Sequence, residues 1–203
     1  MGKYTPLIVI GIIVVFIIFF VVGIFSWWMS TYNTMVQRNE EVNSAWAQVQ
    51  NQYQRRADLI PNLVATIKGY AKHEKETLEN VIKMRNQATQ LTVTKEVLDD
   101  PKAFKKFQQV QGELSGMLSR LMAITETYPD LKANENFLAL QAQLEGTENR
   151  ISVERKRFND TVMEYNKYIK SFPNVIIAGS IFKEKQYFEA QEGSEKAPQI
   201  NFD

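Results

Sequence analysis

Apolar and polar positions fall into two regimes along this chain. From Leu7 to Phe25, nineteen consecutive positions carry no charge, and nearly all are Ile, Val, Phe or Gly. A bilayer's hydrocarbon core takes about 20 apolar residues at a rise of about 1.5 Å each. Leu7–Trp28 meets that length, so the pattern predicts a transmembrane helix over 7–28. Pro6 suits the first turn, where a missing N–H costs nothing. Tyr4 flanks one end and Trp27–Trp28 the other. Phenol and indole rings prefer the headgroup layer, which makes these three the expected interface anchors. A signal peptide would have a shorter apolar core and a small-residue cleavage site, whereas Ser-Trp-Trp-Met-Ser follows this run.

Beyond the span the apolar positions become periodic. Met35, Asn39, Val42, Trp46, Val49 and Tyr53 alternate steps of four and three, the seam of a helix packed in a bundle. No breaker separates Trp28 from Tyr32, so the membrane helix can run on into this one. Asp58 followed by Pro61 reads as a new helix start, with an acid cap and Pro in the first turn. Leu63, Val64, Ile67, Tyr70 and Ala71 continue an apolar stripe, as do Leu78, Val81 and Ile82. Asp99–Asp100–Pro101 is a second restart. Phe104, Phe107, Leu114, Met117, Leu118, Leu121 and Ile124 carry that helix to about Tyr128. A fourth helix is expected over Asn134–Ser171, with Phe137, Leu140, Leu144, Thr147, Ile151, Glu154, Phe158, Val162, Tyr165, Ile169 and Phe172 facing the core. At 38 residues it would be about 57 Å long. The strand-like clusters are Thr92–Thr94 and Val175–Ile177 alone. The pattern therefore predicts an all-α chain: one N-terminal transmembrane helix and then an elongated antiparallel four-helix-type bundle. The expected divisions are a flank at 1–6, the span at 7–28, the bundle at 29–190 and a tail at 191–203. That tail either docks through its alternating end, Ala197–Phe202, or is disordered.

Charge changes the picture by exclusion. Lys3 is the one charged residue in the first thirty, and removing it from the 24 basic residues leaves 23, matched by 23 acids. A balanced surface argues against nucleic acid as a partner, because neutralising phosphates needs a basic excess. The chain has no cysteine, which removes disulfides, thiol catalysis and thiolate metal sites. Basic residues near the span are Lys3 on one side and Arg38 on the other, so charge favours neither orientation.

Candidate chemistry is sparse. The single histidine is His73, and a zinc-protease helix would need a second four residues on, where Thr77 stands. Glycine loops for phosphate and a nucleophile elbow are absent. Asp99–Asp100 reads as a cap and Glu40–Glu41 as an exposed face. The densest polar cluster is Gln54–Asp58, where Arg55, Arg56, Asp58 and Pro61 mark an expected helix junction. It is either a salt-bridged joint or a partner contact, since the guanidinium fork suits carboxylate and phosphate. No catalytic residue, cofactor or metal site is expected.

The same residues carry a resemblance. The run Glu41–Val42, Ala45–Trp46, Val49 and Gln52–Val64, then Gly69–Glu74, closely resembles the LemA family of bacterial membrane proteins. The likeness continues through Tyr128–Asn134, Glu148–Asn149, Ile151, Arg155, Asn159, Tyr165–Asn166, Phe172–Pro173, Tyr187–Ala190 and Ala197–Pro198. The resemblance implies an antiparallel helical bundle behind an N-terminal anchor and no established enzymatic activity or cofactor. Some relatives are magnetosome proteins, which suggests membrane organisation. Many relatives carry a lipoprotein cysteine just before the equivalent of Tyr32–Asn33. Here Met29–Ser30–Thr31 stands there, so this chain keeps its helix. A lipoprotein relative faces away from the cytoplasm, which by analogy puts this bundle on the extracytoplasmic side of the inner membrane, single-pass. The resulting expectation is a non-enzymatic scaffold in the lipid bilayer that forms a homo-oligomer. The rival is an adaptor for another membrane protein, such as a protease or envelope stress component.

Overall fold

The computed structural model describes residues 5–91, 95–179 and 181–189. The described residues are overwhelmingly helical, with no strand among them. Helix α1 spans Thr5–Tyr70, α2 Lys75–Gln90, α3 Pro101–Thr125 and α5 Glu135–Lys170. The short helices α4, Pro129–Lys132, and α6, Asn174–Ala178, turn the chain into and out of α5. The predicted all-α bundle is thus the observed architecture. The strand-like reading of Val175–Ile177 is corrected: those residues form most of α6, where Ile177 packs inward. Thr92–Thr94, Tyr4 and the tail at 191–203 lie outside the described residues.

The expected start of a helix at Asp58–Pro61 is also corrected. Helix α1 continues through Pro61 for nine further residues. A proline inside a helix supplies no N–H to the carbonyl four residues back, here that of Ala57. That carbonyl instead accepts from Arg85 Nε at 3.1 Å. The orphan created by Pro61 is therefore satisfied from α2, and the helix has no need to break. The real turn comes at Ala71, followed by a 3₁₀ turn over Lys72–Glu74.

The other boundaries follow their local chemistry. Asp100 caps α3, its carboxylate accepting from Lys102 N at 2.9 Å and Ala103 N at 3.3 Å, with Pro101 in the first turn. Asn134 caps α5 by accepting from Phe137 N at 2.9 Å. Phe172, expected on the core face of α5, is 82% exposed. It lies past the end of α5, where the chain has left the helical register.

The chain divides into two compact units. Among the described residues, the larger takes in those from 42 to 162 and from 185 to 189, and the smaller those from 5 to 41 and from 163 to 184. In the larger unit, segments of α1, α2, α3 and α5 run up, down, up and down. Contacts fix this order: Trp46 meets Phe104 and Phe158, whereas Arg56 meets Ser115 and Glu148. Positions therefore rise together on α1 and α3 and fall on α5. Trp46 centres an aromatic cluster with Phe104, Phe107, Phe158 and Phe188, at centroid distances of 5.3–5.8 Å. Each such ring, fully buried, contributes about 1.5–3 kcal/mol by removal of apolar surface from water. An aliphatic cluster around Ile60, Leu63, Ile67, Leu78, Leu118 and Leu121 fills the rest.

In the smaller unit, Thr31 and Met35 of α1 are buried along with Tyr165, Asn166 and Ile169 of α5 and Ile177 of α6. Arg38 reaches Glu164 at 3.4 Å and lies over the ring of Tyr168. Residues 8–29 of α1 present their apolar side chains outward: Phe16, Phe19 and Ile12 are each more than 60% exposed. This is the one helix among the described residues long and apolar enough to cross a membrane.

Candidate functional site

The buried apolar positions of α1 keep the four-three alternation without a slip. Val42, Trp46, Val49, Tyr53, Arg56, Ile60, Leu63 and Ile67 are all buried. Arg56 therefore occupies a core position, and it is only 1% exposed. On α3 the same alternation runs Phe104, Phe107, Gln111, Leu114, Leu118, which puts Gln111 in the core as well. The two polar residues meet. Arg56 Nη2 donates to Gln111 Oε1 and, at 3.4 Å, to the Gln111 carbonyl. Arg56 Nη1 donates to Ser115 Oγ at 2.6 Å and to Glu148 Oε1 at 2.9 Å. Ser115 Oγ lies 3.4 Å from Glu148 Oε2, and Gln111 Nε2 donates to the Ala88 carbonyl at 3.4 Å. One arginine thus ties α1, α3 and α5 together, and its partner Gln111 reaches the end of α2.

The network carries a buried positive charge held by one carboxylate and by neutral oxygen acceptors. The guanidinium fork is filled by acceptors on two helices, which fixes their relative register. Its Nε finds no hydrogen-bond partner. The ring of Tyr53 lies 5.0 Å from the guanidinium carbon. Burial pushes the Tyr53 hydroxyl above its ordinary pKa, Arg155 and Arg56 pull it back in part, and Glu148 adds to the rise.

Above this layer a groove of 1170 Å³ opens between α3 and α5, lined by Lys105, Gln108, Glu113, Ser152, Arg155 and Glu189 among others. At one end an extended segment is gripped through its main chain. Asn159 donates to the Phe188 carbonyl at 2.9 Å and accepts from Phe188 N at 2.8 Å. Gln108 donates to the Tyr187 carbonyl at 3.3 Å and accepts from Glu189 N at 3.0 Å. Arg155 donates to the Glu189 carbonyl at 3.1 Å and covers the Phe188 ring at 4.5 Å. Two amides and one arginine thereby replace the ladder partner that this extended chain lacks.

The four residues expected at a junction have different fates. Arg56 is buried in the network, whereas Arg55, Asp58 and Pro61 are exposed on α1. Asp58 accepts from Gln54 at 2.8 Å and lies 4.0 Å from Arg85. Trp27 and Trp28 are 41% and 44% exposed beside the apolar segment, where interface anchors are expected. His73 is exposed on the 3₁₀ turn. Among the described residues no three His, Cys, Asp or Glu side chains gather as metal ligands. Sequence reasoning missed Arg85, Gln111, Ser115 and Glu148. For Gln111 the available signal was the unbroken spacing of α3. For Arg85 it was Pro61 itself, which requires a donor from elsewhere.

The LemA family matches residues 45–202. Two similar proteins are magnetosome proteins MamQ 1 and MamQ 2 of Paramagnetospirillum magneticum. Each is 24% identical over 186 residues, covering 83% of this chain and 68% of the relative.

Proposed function

The chain belongs to the LemA family, and from that premise we propose that it is a non-enzymatic, membrane-anchored helical scaffold that self-associates and organises membrane components. One observation carries the reading. A single helix, Thr5–Tyr70, holds both the apolar segment and the first helix of the bundle. Sixteen or more large apolar side chains exposed along that segment would be untenable in water and are at home in a bilayer. The polar cluster around Arg56 holds three helices in register, its guanidinium filled by acceptors on α3 and α5. Two relatives are magnetosome proteins by name, and that association with a membrane compartment supports the organising role proposed here. The bundle then lies outside the cytoplasm, tethered to the inner membrane by α1.

Amine-directed cross-linking in native membranes tests the self-association. The expected result is a ladder of species containing this chain alone. Only monomer, or a product containing a different protein in fixed ratio, refutes it; the second outcome supports an adaptor instead. Protease accessibility from each side of the membrane tests the orientation independently.

A further inference from the structure

Among the described residues outside the span, exposed apolar surface is concentrated in one stretch. Phe172 is 82% exposed, Ile176 70%, Ile181 68% and Val175 46%. The remaining exposed large apolar residues, such as Leu138 and Val153, stand singly. The inward face of the same stretch is occupied, because Ile177 and Ala178 are buried. The outward side chains are therefore a surface rather than a frayed end.

The position of this surface indicates what covers it. Phe182 packs edge-on against Tyr32 at 5.5 Å, and Tyr32 stacks on Trp28 at 5.9 Å. Tyr32 is one turn beyond Trp28, about 6 Å along α1. The stretch is thus fastened beside the tryptophan pair that ends the apolar segment. Lys167 and Lys183 flank it and are exposed. Apolar side chains next to lysines, at the level of interfacial aromatic rings, are the chemistry that a headgroup layer selects. A second copy of the chain is a poorer occupant, since a stable dimer buries about 800 Å² per partner and four side chains offer less.

We propose that the exposed apolar side chains of Phe172, Val175, Ile176 and Ile181 form a second membrane contact, seated at the boundary of headgroups and acyl chains beside the end of α1. Lys167 and Lys183 then face anionic headgroups. The proposal rests on the reading of α1 as a transmembrane anchor. It implies that the smaller unit holds itself against the bilayer at two points rather than one.

The chain has no cysteine, so single-cysteine labelling tests this directly. Full-length Phe19→Cys, Met163→Cys and Ile176→Cys, each carrying an environment-sensitive fluorophore, are placed in vesicles of phosphatidylcholine and phosphatidylglycerol. Lipids spin-labelled near the headgroup or deep in the chain are the quenchers. Met163 is 54% exposed and belongs to the same unit. Its neighbour Glu164 reaches Arg38, ten residues beyond Trp28 on α1, so the Met163 probe reports water. The expected result is a blue-shifted Ile176 probe, quenched by the shallow label severalfold more than the Met163 probe, with the Phe19 probe quenched by the deep label. An Ile176 probe that matches the Met163 probe, while Phe19 remains quenched, overturns the second contact and leaves the anchor standing. An unquenched Phe19 probe overturns the anchor and this proposal with it. A blue-shifted Ile176 probe that no lipid quenches means that protein covers the patch, and this too overturns the proposal.

Discussion

Replacing Arg85 with Met removes the donor that serves the Ala57 carbonyl, and the cost follows from the geometry. Ala57 is 3% exposed, so water is a poor substitute for the guanidinium at 3.1 Å. A hydrogen bond from a charged donor contributes about 1.5–3 kcal/mol. The companion ion pair with Asp58 spans 4.0 Å, and Asp58's side chain is 60% exposed. It therefore adds less than about 1 kcal/mol. Arg85→Met should cost about 2–3 kcal/mol in the native sequence, on the same magnitudes. In a Pro61→Ala background the outcome differs. Residue 61 then has an N–H that can bond Ala57 within the helix, and the cost of Arg85→Met should fall to about 0–1 kcal/mol. The coupling of roughly 1.5–2 kcal/mol is within the range measured for residues sharing one partner. Denaturant unfolding of the four full-length proteins in detergent, followed by far-UV circular dichroism, measures it. Equal costs of Arg85→Met in both backgrounds would refute the account of how α1 passes Pro61.

Arg56→Met strands the Gln111 side chain and removes the tie among three helices. It should destabilise the bundle by about 2–4 kcal/mol, less than for a fully enclosed pair because the Glu148 side chain is 35% exposed. Combining Arg56→Leu with Gln111→Leu and Glu148→Gln should recover at least half of that loss in a thermal melt, since an apolar layer needs no partners. Tyr53 sets an alkaline limit. Its folded pKa is raised, chiefly by burial, so its contribution to stability is intact below the ordinary tyrosine value and is lost as pH rises through the folded one. Unfolding free energy should therefore be insensitive to Tyr53 near neutrality and fall above about pH 10, with Tyr53→Phe showing a shallower decline.

How much of this was legible in the sequence depended on whether the signal was local. Asp99–Asp100–Pro101 marks a helix start by its own chemistry, and the start is there. The span and the four-three seam through Tyr53 were equally plain, because periodicity is a property of a single helix. Asp58 and Pro61 carry the same local signature as Asp100 and Pro101, yet no helix begins there. The difference lies in Arg85, twenty-four positions past Pro61, whose role exists only once α2 folds back. Arg56 is the next position of the α1 seam after Tyr53, but its charge marks it as a surface residue until the bundle supplies its acceptors. The carboxylate of Glu148 and the hydroxyl of Ser115 are ordinary surface residues on their own helices. Only the bundle brings them to the guanidinium. Phe172 departs from its pattern for a related reason: the stripe of α5 predicts it inside, but the helix ends at Lys170 and the spacing no longer applies.

The central claim, an anchored scaffold built from copies of this chain, is tested most directly by the mass of the full-length protein released from membranes in polymer nanodiscs. Mass photometry should give a discrete assembly whose protein mass is an integral multiple of 23.5 kDa, with no other polypeptide in it. A single species at one copy, or a complex whose mass requires a different protein, would contradict the account.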